Sequence, residues 1–130
     1  MEETAVPRVL VVDDDPLIVR LLELNFRLAG FEVSSASRGD RAVERAIEVD
    51  PDVIVLDVTM PGLDGYEVCR RLRGDERFAD VPVVFLTAHP QDALGARDHA
   101  LGVVDHVTKP FDPETLIDAV RTAMDRGGVP

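Results

Sequence analysis

A continuous apolar run, Val53–Leu56, is the feature that most constrains the fold of this chain. The run does not alternate between apolar and polar residues, and three of its four members are β-branched. This pattern is typical of a central strand in a parallel sheet, which is covered on both faces. The run ends on a carboxylate, Asp57, and turn-forming residues follow it. A charge at the carboxyl end of a buried parallel strand lies where open α/β sheets bind their ligands. The alternative is an aspartate that only caps the turn.

Four further apolar runs alternate with helical patterns along the chain. Strands are predicted at residues 8–12, 31–35, 53–56, 81–86 and 103–108, and helices at about 16–29, 40–49, 64–72, 91–101 and 113–127. Strands that alternate with helices predict an α/β domain with a parallel sheet covered on both sides. Right-handed crossovers restrict its topology, and a doubly wound five-stranded sheet of order 2-1-3-4-5 fits. The strands at 31–35 and 103–108 are expected at the edges, because they are the least apolar.

The first helix has clear start, stop and face signals. Asp15 is the expected N-cap, Pro16 suits the first turn, and Gly30 is a plausible stop. Its apolar residues recur at helical spacing, which predicts one stripe that faces the core. The stripe comprises Leu17, Leu21, Leu24 and Leu28, and Ile18 and Leu22 widen it.

Composition sets limits on the class of protein. The 130 residues suffice for one domain with a single core, and 45% apolar with 30% charged residues is typical of a soluble globular chain. A net charge of −11 argues against direct binding to nucleic acid or to anionic membranes. The single cysteine, Cys69, excludes an internal disulfide and suits a reducing compartment. No stretch approaches the length of a membrane span and no signal peptide is recognisable, so a cytoplasmic location is expected.

Polar side chains follow four of the predicted strands, at the point where each strand ends. They are Asp13 and Asp14 after the first strand, Asp57 after the third, Thr87 after the fourth and Lys109 after the fifth. Because the carboxyl ends of parallel strands meet at one edge of the sheet, these side chains are expected to converge. Three converging carboxylates repel one another at neutral pH unless a cation compensates them.

The donor set at this edge predicts a magnesium site. Hard oxygen ligands in small number suit Mg²⁺ better than Zn²⁺ or an all-protein Ca²⁺ cage. The Lys109 ammonium and the Thr87 hydroxyl are suited to contact the oxygens of a phosphoryl group. A carboxylate nucleophile, a metal, a hydroxyl and an ammonium together predict a site that forms an acyl phosphate. The alternatives are a capping cluster around Asp13 and Asp14, a strand-end hydroxyl at Thr87 and a solvated Lys109.

With these motifs the chain closely resembles the receiver domain of two-component response regulators, of the chemotaxis-regulator-like type. The matching segments are VLVVDDDP at 9–16, DVIVLDVTMPGLDG at 52–65, VPVVFLTA at 81–88 and VTKPF at 107–111. They span nearly the whole chain in the family's order. The resemblance implies a flavodoxin-like receiver fold. It also implies a single receiver domain across residues 1–130, with a core at about 7–127 and no output domain in this chain.

The resemblance also implies a role for each site residue. Asp57 would be the phosphoacceptor, and Asp13 and Asp14 would hold Mg²⁺ together with Asp57 and the backbone carbonyl of Thr59. Thr87 and Lys109 would contact the phosphate, and the Lys109–Pro110 peptide would be cis.

The function implied is that of a signalling switch rather than a conventional enzyme. A histidine kinase or a histidine phosphotransfer protein would supply the phosphoryl group, and the domain would catalyse its own phosphorylation and dephosphorylation. The surface from the fourth strand to the fifth helix would then change for a downstream protein partner or output domain.

Two residues depart from the family pattern, and two other functions stay open. His106 stands where the family has an aromatic residue, and Val103 stands where it has a small one, so His106 is a candidate for the switch position. One alternative function is a receiver-fold binding module that phosphorylation does not regulate. The other is a Mg²⁺ phosphohydrolase, for which Val58 and Thr59 supply no second carboxylate after Asp57.

Overall fold

The sheet contains five strands within the described residues, which in this computed structural model are 6–58, 60, 63–88 and 100–127. In chain order the strands are β1 (Arg8–Val12), β2 (Glu32–Ala36), β3 (Val53–Asp57), β4 (Val83–Thr87) and β5 (Val103–Thr108). All neighbouring strands are parallel, and the order across the sheet is β2-β1-β3-β4-β5. The predicted topology and the two predicted edge strands are therefore confirmed.

The described helices are α1 (Pro16–Leu28), α2 (Gly39–Val49), α3 (Gly65–Arg73) and α4 (Pro113–Gly127), with a 3₁₀ turn at Glu76–Phe78. The predicted helix at 91–101 falls almost entirely outside the described residues. The helix predicted at 113–127, the fifth in the predicted series, is therefore numbered α4 here. None of the helices in these ranges combines the length and apolar composition that a bilayer span requires.

Alternate residues of the central strands point to opposite faces of the sheet, and each face has its own core. Val9, Val53 and Leu86 pack with α1 and α4 on one face. Leu10, Ile54 and Phe85 pack with α2 and α3 on the other. Burial of one such side chain stabilises the fold by about 1.5–3 kcal/mol. Because helices cover both faces of the sheet, successive strand residues are buried in turn on either side. Unbroken apolar runs in the central strands follow from this arrangement.

The predicted core face of α1 is wrong. Leu22, on the flank of the predicted stripe, and Phe26 are the buried residues of this helix, and Ile18 packs partly against the same core. The four central leucines of the stripe, Leu17, Leu21, Leu24 and Leu28, are exposed. Both sets have helical spacing, because residues four apart lie on one face of a helix whichever face it is. Phe26 also meets Phe31 edge to face at 5.1 Å between ring centroids, which favours the observed orientation.

Aspartate side chains cap the starts of α1 and α3, at Asp15 as predicted and at Asp64. The Asp15 side chain accepts a hydrogen bond from the Leu17 amide at the start of α1, and the Asp64 side chain accepts one from the Glu67 amide at the start of α3. Gly65 brings α3 close to the end of β3. A Cβ at that position would lie 3.0 Å from Val58 Cα, and the Gly65 amide donates to the Val58 carbonyl at 2.9 Å. Helix α3 therefore starts directly against the residue that follows Asp57.

Candidate functional site

Strand register places the acidic residues side by side at the carboxyl edge of the sheet. Val12 of β1 pairs with Leu56 of β3, so Asp13 and Asp57 follow at the same height. One carboxylate oxygen from each of Asp13, Asp14 and Asp57 lies within 4.8 Å of the others. Asp13 and Asp57 are buried and Asp14 is exposed. The cluster is therefore open to solvent on the Asp14 side, where a ligand can enter.

The Lys109 ammonium lies between two of these carboxylates. Its Nζ is 3.0 Å from Asp13 Oδ2 and 3.1 Å from Asp57 Oδ2. Asp13 is fully buried, and its Oδ1 accepts a hydrogen bond from the Asp15 amide. A buried carboxylate is costly unless it is paired and hydrogen-bonded, and Lys109 together with this amide meets that need for Asp13.

Backbone hydrogen bonds join Thr87 and Lys109 across β4 and β5. Thr87 ends β4 and is buried, and its carbonyl accepts the Lys109 amide at 2.7 Å. Thr87 stands one residue beyond Leu86, which pairs with Asp57. The hydroxyl-bearing residue and the ammonium-bearing residue thus belong to one hydrogen-bonded corner, one strand away from Asp57. The Lys109–Pro110 peptide at this corner is cis, as predicted.

His106 lies against the buried ring of Phe85. The pairing of β4 with β5 shifts between Val83 and Val84, so that Val84 pairs with Asp105 and Phe85 with His106. The His106 and Phe85 rings meet edge to face at 5.4 Å between centroids, and Tyr66 of α3 meets the same Phe85 ring at 5.1 Å. The imidazole is therefore half-buried at the edge strand and packs against an aromatic ring.

The structure brings together Asp13, Asp14, Asp57 and Lys109, and it places Thr87 one strand away. Thr59 lies outside the described residues. Sequence reasoning did not predict that Lys109 pairs with both Asp13 and Asp57. The available sequence signal was the place of Lys109 directly after the fifth predicted strand, because the carboxyl ends of parallel strands share one edge of the sheet. The aromatic contacts of Phe85 left no such signal, because Phe85 is one of several apolar residues in its strand.

Lys109 predicts a pH dependence of stability. Burial lowers the pKa of Lys109, but its hydrogen bonds and charge attraction to Asp13 and then Asp57 outweigh burial, and the pKa is raised overall. A raised folded-state pKa contributes stability that is fully present below the unfolded value of about 10.4 and is lost as pH rises through the folded value. Urea unfolding in EDTA should therefore show that the stability advantage of wild type over Lys109→Met is constant from neutral pH to about pH 10 and shrinks as the pH rises further.

The matched control for this experiment is Lys109→Arg, since arginine keeps its charge throughout that range. Its advantage over Lys109→Met should persist where that of wild type declines. A wild-type advantage that is unchanged at the highest pH would show that the ammonium does not stabilise the two carboxylates.

Comparison with known proteins agrees with this geometry. The family model described as the response regulator receiver domain matches residues 9–121. The DNA-binding dual master transcriptional regulator RpaA of Synechocystis sp. is 42% identical over 120 residues, which are 92% of this chain and 50% of that protein. The chain spans about half the length of the curated relatives it matches.

Two solved structures share the fold. The chemotaxis protein CheY4 of Vibrio cholerae superposes with a TM-score of 0.84 at 31% identity, over 92% of this chain and 99% of that one. The receiver domain of the sensor histidine kinase PA1611 of Pseudomonas aeruginosa gives a TM-score of 0.81 at 30% identity, over 93% and 99%. That structure contains a magnesium ion coordinated in its active site cleft.

The sheet order, the carboxylate cluster and the family match all indicate a receiver domain, and the family match covers residues 9–121. They favour a phosphorylation-regulated domain over a binding module that only shares the fold. The chain belongs to the response regulator receiver domain family of two-component signal transduction.

Proposed function

We propose that Asp57 accepts a phosphoryl group from a phosphohistidine of a histidine kinase or a histidine phosphotransfer protein. In this transfer an Asp57 carboxylate oxygen bonds to phosphorus while the bond from phosphorus to the imidazole nitrogen breaks, and the imidazole leaves with that electron pair. The observation that carries the proposal is the position of Asp57 Oδ2, which is 3.1 Å from Lys109 Nζ and within the cluster that Asp13 and Asp14 complete. Hydrolysis of the resulting acyl phosphate by water, at the same site, would reset the domain.

The residues present fit a Mg²⁺ ion. The donors are carboxylate oxygens, which this ion prefers, and the position of the Lys109 ammonium between Asp13 and Asp57 supports a need for positive charge at this cluster. Asp13, Asp14 and Asp57 would hold the ion with the Thr59 carbonyl. When bound, Mg²⁺ neutralises negative charge on the carboxylates and on phosphoryl oxygens.

Thr87 and Lys109 would report the phosphorylation. A phosphoryl group adds a charge of about −1.5 to −2 and three acceptor oxygens. Its charge would attract the Lys109 ammonium, and a shift of the Thr87 hydroxyl toward an oxygen would pull on the corner that the two residues share. The surface from β4 to α4 would then favour a second arrangement, which a downstream protein partner or output domain recognises.

Signalling through a protein partner also fits the charge of the domain. RpaA is named as DNA-binding and is about twice as long as this chain. The domain itself carries a net charge of −11, which opposes contact with nucleic acid. We therefore assign any nucleic-acid binding to a partner or output domain. We also propose the cytoplasm as the place of action, because phosphohistidine donors and Mg²⁺ occur together there.

Magnesium binding tests the proposed site. Mg²⁺ should raise the melting temperature of the wild type, because a ligand that binds only the folded state stabilises it. Asp14→Asn should lose most of this rise, since it removes one of three carboxylates. The matched control is Asp15→Asn, which removes the same charge from the next residue and keeps an N-cap oxygen for α1. If Asp14→Asn keeps the full rise, or if both variants lose it equally, Asp14 is not a ligand.

We further propose that His106 takes the aromatic switch position. His106 lies three residues before Lys109 and contacts Phe85 from the edge strand. Phe85 stands two residues before Thr87 in β4. A displacement of Thr87 would therefore change the surroundings of the His106 ring. The ring resonances of His106 in NMR spectra should therefore shift when Asp57 is phosphorylated, and they should not shift in phosphodonor-treated Asp57→Asn protein. Identical His106 resonances in both states of the wild type would remove this residue from the switch.

A further inference from the structure

Helix α2 begins at a glycine that has no space for a side chain. Gly39 is buried, and a Cβ at this position would overlap the Leu63 carbonyl oxygen and lie 3.0 Å from the Leu63 Cβ. A backbone oxygen cannot turn away as the end of a flexible side chain can. Leu63 belongs to the loop that leads from Asp57 to α3, so the start of α2 is in direct contact with the backbone of that loop.

The space, and not the backbone conformation, requires glycine at position 39. Among the described residues the glycines with positive φ are Gly30 and Gly102, so alanine can adopt the conformation of Gly39. Alanine is also the residue that a helix favours most, and glycine is among the least favoured. The local preference of α2 therefore conflicts with the contact to Leu63. Conflicts of this kind are expected at functional or strained sites.

A second glycine makes the matching contact two residues after Leu63. A Cβ at Gly65 would lie 3.1 Å from the Asp57 carbonyl oxygen and 3.0 Å from the Val58 Cα. The segment 63–65 thus meets α2 at one end and the backbone of Asp57 at the other. Neither contact leaves room for a methyl group without a shift of the backbone. A displacement of Leu63 is therefore passed to the backbone that carries the Asp57 carboxylate.

The connection between β2 and α2 also reaches the other acidic loop. The Ala36 carbonyl at the end of β2 accepts a hydrogen bond from the Asp13 amide at 3.2 Å. Residues 36–39 therefore contact the loop after β1 through Ala36 and the loop after β3 through Gly39. This connection supplies no carboxylate to the cluster, yet it joins the two loops whose relative position defines the cluster.

We infer that Gly39 is a positioning residue for Asp57. It acts through the segment 63–65, which holds the end of β3 at the height where the Asp57 carboxylate meets the rest of the carboxylate cluster. The inference rests on the proposed function of Asp57 as the phosphoacceptor, and it adds to that site a residue from outside the cluster. A misplacement of about 1 Å at a reacting group can lower a rate by about 100-fold, so the tight packing of this segment has a functional consequence.

The Gly39→Ala protein tests the inference. Its rate of phosphoryl uptake from a small-molecule phosphodonor at saturating Mg²⁺ should fall by about 10–100-fold per folded molecule, where urea unfolding gives the folded fraction. Mg²⁺ should also raise its melting temperature less than that of the wild type, because the displaced Asp57 carboxylate binds the ion less well. Gly74→Ala is the matched control, since the nearest non-neighbouring atom to its new methyl group, the Arg71 carbonyl oxygen, lies 3.4 Å away. That variant should behave like the wild type in both measurements.

Two further variants separate positioning from loss of stability. Ala46→Gly weakens α2 roughly 10 Å further along the helix and lowers the stability of the domain without adding an atom next to Leu63. It should keep the wild-type rate per folded molecule. Leu63→Gly loosens the segment 63–65 without inserting an atom, and because Leu63 is only partly buried the domain should stay folded. Its rate should fall in the same direction as that of Gly39→Ala, by a smaller factor.

Wild-type rates in both Gly39→Ala and Leu63→Gly would overturn the inference, and so would an equal loss of rate in Gly39→Ala and Ala46→Gly. A wild type that takes up no phosphoryl group on residue 57 would instead contradict the proposed function. In that case the Mg²⁺-induced rise in melting temperature still decides the role of Gly39. A smaller rise in Gly39→Ala than in Ala46→Gly supports that role, and equal rises exclude it.

Discussion

The Asp57→Asn protein is expected to incorporate no phosphoryl group under conditions in which the wild type incorporates one. The amide has nearly the same shape as the carboxylate, so the packing around residue 57 is kept. It lacks the anionic oxygen that attacks phosphorus, and no acyl phosphate forms. Intact-mass spectrometry after incubation with a small-molecule phosphodonor and Mg²⁺ measures the outcome directly.

A second aspartate in the same segment provides the control. Asp64 follows Asp57 by seven residues and caps α3 through its side chain. Asp64→Asn keeps a capping oxygen and should be phosphorylated like the wild type. Equal labelling of Asp57→Asn and wild type would assign the phosphate to another residue.

Replacement of Phe85 by alanine is expected to cause the largest loss of stability. The ring is fully buried in β4, and the rings of Tyr66 and His106 form edge-to-face pairs with it at 5.1 and 5.4 Å between centroids. Loss of a buried phenylalanine ring costs about 3–5 kcal/mol, out of a total free energy of unfolding of roughly 5–15 kcal/mol. Urea unfolding should show the Phe85→Ala domain close to its limit of stability at 25 °C.

A conservative variant shows which property of Phe85 is responsible. Phe85→Leu keeps most of the apolar volume and loses the ring contacts, so it should cost clearly less than Phe85→Ala. A cost below about 1 kcal/mol for Phe85→Ala would mean that the site collapses around the cavity, and that Tyr66 and His106 do not depend on this ring for their positions.

Most of the fold followed from the apolar runs. Val9–Val12 and Val53–Leu56 contain no polar residue, and this pattern with its β-branched residues is typical of a strand covered on both faces. Once the strands were identified as parallel, the convergence of Asp13 and Asp57 was a geometric consequence, and the register of β1 with β3 confirms it.

The orientation of α1 could not be predicted from the same kind of pattern. Leu22 and Phe26 compete with the exposed leucines of this helix for the inward face, and both sets have helical spacing. Contacts in three dimensions decide between them, including the Phe26–Phe31 ring pair across the turn after α1. The register shift in β5 that sets His106 against Phe85 depends in the same way on pairing with β4, which no local pattern records.

Chemical trapping of the phosphorylated side chain tests the central claim most directly. Borohydride reduces an aspartyl phosphate to homoserine with release of phosphate, and peptide mass spectrometry then locates the altered residue. Homoserine at position 57, only after treatment with phosphodonor and Mg²⁺ and with Asp13 and Asp14 unchanged, is the predicted result. Homoserine at position 13 or 14, or phosphate retained on a histidine with residue 57 unaltered, would contradict the assignment of Asp57 as the phosphoacceptor.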